Sequence, residues 1–301
     1  MLYFLQQVLN GLHASALYAL LAFGYVLTNG VLHRTNLSYG ALFAFSGQSM
    51  ILVAVFGWYV LWMTLPATVA LGIAAGFAYA ALISSILSRQ VFAPLANSAP
   101  NTLVTATLGI SLVLMELARI AADTRDFWLP PMLSSPVVFA SAGGFRVTLT
   151  VIQLLNCLTA ILVVVALSMF LSRSAFGRLW RAVSDDPDAA RLCGVDVSRI
   201  FHRSVVGGGL IAALAGILAA LYFGNISFGT GLFFGLKILF VTAVGGYQSP
   251  SRAAAGATAF GLAEALWSGY FPLEWRDAAV FIALIVLLVL RPPDKEERDF
   301  A

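Results

Sequence analysis

Charge is scarce in this sequence. Only 10% of its 301 residues are Asp, Glu, Lys or Arg, against about 25% in a soluble domain, so a water-soluble globule is excluded. Cysteine is almost absent: Cys157 falls in an apolar run and Cys193 in a polar one, which leaves no disulfide framework. The three histidines, His13, His33 and His202, are scattered and make no bis-His haem or zinc pattern. No metal site and no cofactor are expected. The two lysines, Lys237 and Lys295, are not preceded by glycine, so there is no G-x-x-x-x-G-K-S/T phosphate loop. H-E-x-x-H and G-x-S-x-G are missing as well. The chain therefore has no set of residues for catalysis, and ATP chemistry would have to come from another polypeptide. Alternating apolar and polar segments of about 10 residues, the mark of a membrane barrel, do not occur. The opening MLYFLQQ carries no Lys or Arg, so no cleavable signal peptide is expected.

Apolar sequence is abundant. Hydrophobic residues make up 60% of the chain and the mean hydropathy is +0.90. A membrane-crossing helix needs about 20 residues. The runs at 8–30, 37–56, 66–87, 101–121, 148–171, 204–223, 232–246, 253–271 and 278–290 predict an all-α polytopic membrane protein. It would have about nine transmembrane or re-entrant helices, in a single transmembrane domain spanning 1–301. The second and seventh runs are the candidates for re-entrant segments, and Pro94 and Pro100 are expected to interrupt the helix after the third. The segment 122–147, with Trp128, Pro130 and Pro131, predicts an ordered interfacial loop.

The basic residues set an orientation. With the N-terminus outside and the C-terminus cytoplasmic, twelve of the seventeen Lys and Arg fall on the inner side. The exceptions are Arg119, Arg125, Arg146, Lys237 and Arg276. The inverse topology would reverse that ratio, against the positive-inside tendency.

One long polar stretch, 173–203, interrupts the apolar pattern, with six Arg and four Asp in 31 residues. It encodes a bounded helix over 187–193. Asp186 is a good N-cap, Pro187 suits the first helical position and Asp188 complements the helix dipole. Gly194 can take the left-handed conformation that stops the helix. A short rigid helix on a cytoplasmic loop is a handle for something outside the membrane to push on; the plainer reading is a solvated connection. Arg178, Arg181, Arg191 and Arg199 could pair with acidic residues of such a partner, or serve topology alone.

The second run is unusually polar. Asn36, Ser38, Tyr39, Ser46 and Gln48 are candidates to line a pathway, as a broken helix facing it, or to bond to neighbouring helices. Four ionisable residues lie inside apolar runs, and each needs a partner, since a charge at a helix centre costs about 2.5–3.5 kcal/mol on insertion scales. Glu116 and Arg119 are three apart on one helix and can satisfy each other. Lys237 and Glu264 lie near the middles of consecutive runs joined by a short turn, so antiparallel packing could pair them. A structural role is expected for all four, as pairs or packed into a subunit interface; the alternative for Lys237 and Glu264 is that they meet a zwitterionic amino acid.

Asp188-Ala189-Ala190-x3-Gly194 has the form of the E-A-A-x3-G loop of ABC importer permeases. GLHASALYALLAFGYVL, NTLVTATLGISLVL, GRLWRAVSDDPDAARLCGVDVSRI, ALAGILAALYFGNISFGTG, GLKILFVTAVGGYQSPSRAAAG and FGLAEAL follow in order along the chain. Together they resemble the permease subunits of branched-chain amino-acid ABC importers, in particular the shorter of that system's two homologous permeases. HRTNLSYGALFAFSGQ departs from the family's usual asparagine-phenylalanine-alanine-histidine-glycine run, which leaves the cargo open to urea, short amides and other small solutes. The resemblance implies a multi-pass protein of the cell inner membrane, paired with a homologous second permease. Two ABC ATPase subunits would engage the 173–203 loop through Asp188, Ala189, Ala190 and Gly194. A periplasmic or extracellular substrate-binding protein would dock on 122–147. No nucleic-acid partner is implied. The competing reading is an ion-coupled secondary transporter using Glu116 or Glu264 as its coupling carboxylate.

Overall fold

The computed structural model describes residues 2–96, 98–247 and 249–290. The polar tail, with Arg291, Lys295 and Arg298, lies outside the described residues. Each of the nine apolar runs contains a helix. In chain order these are α1 (Leu2–Leu32), α2 (Ser38–Tyr59), and α3 (Leu65–Ile86) continued by a π turn (Leu87–Phe92) and α4 (Ala93–Leu95). Next come α5 (Pro100–Ala121), the strands β1 (Pro136–Ala142) and β2 (Phe145–Thr150), and α6 (Val151–Arg173). The polar stretch forms α7 (Ala175–Asp185) and α8 (Pro187–Leu192), then α9 (Val197–Phe223). The chain ends in α10 (Thr230–Gly245), α11 (Pro250–Tyr270) and α12 (Arg276–Leu290). Among the described residues, six helical stretches are long and apolar enough to cross a membrane: α1, α2, α3 through α4, α5, α6 and α9; α10 is a shorter apolar helix.

α1 is the central post. Its apolar window is wholly buried, and it packs on α11, α9, α6 and α10. Small residues make this possible, because helices in lipid associate through close backbone approach and side-chain packing. A Cβ at Gly11 would lie 2.8 Å from the Ala265 Cβ, and one at Gly24 would meet the Tyr39 hydroxyl. Elsewhere, a Cβ at Gly40 would collide with the Gly231 carbonyl and the Gly235 amide, so α2 and α10 cross backbone to backbone.

The bundle has two distinct ends. At one, Tyr3 Oη donates to Gly269 O at 2.6 Å, and Gln6 bonds Thr148 through both amide atoms, at 2.9 and 2.8 Å. At the other, Trp180 Nε1 donates to Leu27 O at 3.0 Å and His33 Nε2 meets Ser184 O at 2.9 Å. Between α9 and α10 the backbone enters the body without helical structure. Leu129 N donates to Gly224 O at the first end, Ile226 O accepts from Gln48 Nε2 partway along α2, and Gly231 meets Gly40 near the α2 start.

Three expectations are corrected. The membrane body is helical, but 136–150 is an antiparallel hairpin. It turns at Gly143 (φ +59°) and Gly144 (φ +83°), the left-handed pair that a tight two-residue hairpin loop requires. Pro94 does not end the third helix. The preceding turn widens to π geometry, with Ala93 N donating to Ser88 O five residues back, which takes up the proline's missing donor and its clash with the preceding turn. The helix breaks only beyond α4. The second run is not broken either: α2 is continuous from Ser38 to Tyr59, and its serines bond back onto it, Ser46 Oγ to Leu42 O and Ser49 Oγ to Phe45 O, each at 2.7 Å.

Candidate functional site

The polar stretch 173–203 folds into helix almost throughout. Ser174 caps α7 by accepting from Gly177 N at 3.0 Å, and Asp186 caps α8 by accepting from Asp188 N at 2.9 Å and Ala189 N at 3.0 Å. Pro187 sits in the first turn, where no donor is needed. Gly194 adopts φ +80°, and Gly194 N and Val195 N return to Arg191 O and Ala190 O at 2.9 and 3.0 Å, closing the helix. Both ends of α8 are thus fixed by the residues the sequence singles out, and α9 begins at Val197, inside the polar stretch.

α7 anchors the loop. Its Trp180 is 1% exposed, in the main core with Val183, and its indole bonds the α1 backbone at Leu27. The two alanines of α8 divide between faces. Ala190 turns into the core at 5% exposure, whereas Ala189 is exposed beside Asp188, Arg191 and Gly194. The outward face also carries Leu192, 91% exposed, the most prominent apolar side chain of the segment. Sequence reasoning passed over Leu192; the available signal was a leucine two residues after an inward alanine on a capped helix, which helical spacing sends to the opposite side. The arginines are already engaged locally. Arg191 pairs with Asp188 at 2.7 Å and Arg199 with Asp196 at 3.3 Å, while Arg178 and Arg181 donate to the carbonyls of Arg173 (3.3 Å) and Leu171 (3.2 Å). All four remain exposed at the surface of the loop.

Asn36, Ser38, Tyr39, Ser46 and Gln48 are all buried within the subunit. Asn36 Oδ1 accepts from Ser38 N at 3.0 Å and Ser38 Oγ at 2.7 Å, organising the start of α2. Gln48 holds the non-helical segment after α9 through Ile226 O at 3.0 Å. Among the described residues Tyr39 Oη is buried with no hydrogen-bond partner, and its ring packs edge-on to Tyr25 at 5.5 Å.

The intramembrane charges meet in two groups. Glu116 and Arg119 are bridged at 2.6 Å on the exposed side of α5. Lys237 on α10 and Glu264 on α11 are bridged at 2.5 Å, each side chain 11% exposed. Two residues not singled out from the sequence as site residues join them. Arg276 lies 3.6 Å from Glu264 and 3.2 Å from Asp277, and Asp277 lies 3.9 Å from Lys237. Lys237 Nζ also sits 5.3 Å from the centroid of the Tyr18 ring. One network therefore ties α10, α11 and α12 to the central α1.

Residues 7–290 match a family model described as the permease component of branched-chain amino acid transport systems. The high-affinity branched-chain amino acid transport permease LivH of Salmonella typhimurium is 30% identical over 302 residues, covering 97% of this chain and 94% of the relative. BraD, a permease of the same description from Pseudomonas aeruginosa, is 28% identical over 294 residues, covering 96% and 94%. A shorter match, 38% over 86 residues and 29% of this chain, joins it to the fructose import permease FrcC of Rhizobium meliloti. No solved structure matches the chain.

Proposed function

Because this chain belongs to the permease family of branched-chain amino acid transport systems, we propose that it forms the translocation path of an ABC importer for such amino acids. ATP is hydrolysed in partner subunits, and the chain sits as a multi-pass protein in the cell inner membrane with its N-terminus outside and its C-terminus in the cytoplasm. A homologous second permease completes the membrane part. Two ATPases bind the loop at 173–203, and a substrate-binding protein docks on the segment 122–147 and its hairpin. The whole of 1–301 acts as one permease domain.

The observation that carries this reading is α8. It is a two-turn helix capped at both ends, fastened to the core through its own Ala190 and, by way of α7, through Trp180, and it presents Ala189, Arg191 and Leu192 outward. A rigid projection with an apolar tip suits insertion into a groove of a motor protein and transmits rigid-body displacement. Asp188, Arg178 and Arg181 frame the contact with charge. Of the polar residues proposed for the pathway, Asn36 and Ser38 organise the α2 start and Gln48 holds the segment after α9, while Tyr39 and Ser46 lie buried on α2 between them. The two charge groups are structural, and both candidate coupling carboxylates of an ion-driven mechanism are committed to cations.

Proteoliposome uptake of labelled leucine tests the reading. Import should require ATP, the ATPases and a cognate binding protein, and should survive an uncoupler. Uptake that collapses with the proton gradient and proceeds without ATPase would refute it.

A further inference from the structure

A cavity of about 590 Å³ lies inside the subunit between α1, α2, α9 and the start of α10, within the roughly 300–1,000 Å³ of small-molecule sites. Much of its wall is apolar, from Leu17, Leu21, Phe43 and Phe234. One rim is the non-helical stretch carrying Asn225, Ile226 and Ser227, together with Thr230 at the first turn of α10. Irregular backbone at membrane depth persists only where protein buries it or where it lines a cavity. Gln48 and the glycine contact of α2 with α10 hold this stretch against the cavity.

His13 supplies a polar contact on the wall. It is 4% exposed and packs on the Tyr222 ring at 4.3 Å between centroids. Asn156 Nδ2 donates to Leu218 O at 2.9 Å, which fixes the amide orientation and turns an N–H towards His13 Nε2 at 3.4 Å. Nε2 is then the acceptor and the neutral ring carries its proton on Nδ1. Among the described residues no hydrogen bond of that Nδ1–H to protein is seen, and His13, 4% exposed, lies on the cavity wall. The first turn of α10 reaches the same cavity at Thr230 and brings the positive end of its dipole there, with Thr230 N and Leu232 N held by Ser227 O and Gly229 O at 3.1 and 3.3 Å. The mouth is marked by Asp126 and Trp128, at the bundle end that holds the α1 N-terminus. Towards the coupling loop the cavity is closed by the stacked rings of Phe43 and Phe234, 5.2 Å apart, and then by Tyr25 against Tyr39.

We propose that this cavity is the chamber in which the imported amino acid rests inside the single subunit, a site that rests on the functional reading above and makes it specific. The carboxylate of the zwitterion meets His13 Nδ1–H and the α10 start, and the aliphatic side chain lies on Leu17, Leu21, Phe43 and Phe234. Asp126 offers the ammonium group its first countercharge at the mouth. The two aromatic pairs form the floor that must part for release.

The test uses the complete transporter in proteoliposomes, with Cys193→Ser in every sample to remove the exposed native thiol. Ala14→Cys places a thiol on the wall beside His13, and Ser227→Cys on the rim provides a second position should the first variant fold poorly. Each is modified with a fluorescein maleimide, whose bulk is comparable to that of the chamber. Modification should reduce ATP-dependent leucine uptake by about tenfold or more, because a closely packed wall leaves no room for adduct and amino acid together. ATP hydrolysis stimulated by the binding protein should persist. Leucine with its binding protein and ATP should slow the labelling, and leucine without ATP should not. Full modification at either position with uptake unchanged would overturn the proposal while leaving the importer reading intact. Failure of the unlabelled assembly to import any branched-chain amino acid would remove that reading, and the chamber's assignment with it.

Discussion

Leu192→Ala isolates the contact that drives the proposed coupling. Leu192 is 91% exposed, so truncating it removes almost nothing from the folded subunit. If a partner groove buries it, the substitution withdraws three carbons from that groove. At about 0.8 kcal/mol per buried carbon the loss is roughly 2–2.5 kcal/mol, or ~30–70-fold in Kd. Ala190→Leu is the matched opposite. Ala190 is 5% exposed in the core cluster that includes Trp180 and Val183, so extra bulk there costs about 1–3 kcal/mol of fold stability through overpacking. The assay is titration of the purified ATPase onto the permease in nanodiscs, with thermal unfolding of the permease alone measured in parallel. Leu192→Ala should weaken ATPase binding and leave the thermal midpoint in place. Ala190→Leu should lower the midpoint. An unchanged ATPase affinity for Leu192→Ala, or a midpoint depressed as far as that of Ala190→Leu, would refute the assignment of the outward face.

Other perturbations test separate parts of the argument. Asp186→Ala removes the acceptor for Asp188 N and Ala189 N and should cost α8 about 1 kcal/mol; the ratio of leucine imported to ATP hydrolysed should fall, and Asp186→Asn, which can still cap, should restore it. Lys237→Met removes the 2.5 Å partner of Glu264 but leaves Arg276 at 3.6 Å, so the loss should fall below the about 3–5 kcal/mol of a fully orphaned buried charge, read as a fall in folded yield on size exclusion. Combining Lys237→Glu with Glu264→Lys should recover only part of that yield, since Arg276 lies 3.6 Å from the Glu264 carboxylate and would face a like charge. Gly40→Val drives a side chain into the backbone of α10 and should cost at least the upper end of the about 1–3 kcal/mol range for overpacking, seen as a lower thermal midpoint.

The helices and their order were legible because lipid imposes a simple rule, about 20 apolar residues for each crossing, and each predicted run contains a helix. The α8 boundaries were legible because Asp186, Pro187 and Gly194 each act within a few residues of themselves. What the sequence obscured was non-local. The partners of the polar residues in α2 are set by the fold, since serines satisfy themselves on the preceding turn and Gln48 reaches Ile226, 178 residues away. Pro94 looked like a break because a π turn is a backbone response with no side-chain signature. The hairpin was the avoidable miss. Gly143-Gly144 between two β-branched and aromatic segments is the local pattern of a tight turn. His13 gave no signal at all, since its meaning depends on Asn156, which is 143 residues away.

The arrangement of α7 makes α1 the natural carrier of force between the proposed coupling loop and the cavity. α8 joins α9 through Gly194 in a left-handed conformation and a short non-helical link, whose bonds are local, Val195 N to Ala190 O and Arg199 N to Asp196 Oδ1. The contact of α7 with α1 is not local but reaches the central post. The Trp180 indole donates to Leu27 O, and its ring lies so close to Gly30 that a Cβ there would be 2.6 Å from Cζ2. Movement of α7 therefore either breaks a buried hydrogen bond, at about 0.5–1.5 kcal/mol or more if the donor stays unpaired, or carries α1 with it. α1 is unbroken from Leu2 to Leu32, and from Leu27 back to His13 it spans ~21 Å at about 1.5 Å per residue. The same rigid element thus holds the Trp180 anchor at one end and His13, Leu17 and Leu21 of the chamber wall nearer the other. On the proposed reading, a displacement entering at α8 would change the shape of the cavity through α1 without requiring any residue between them to switch conformation.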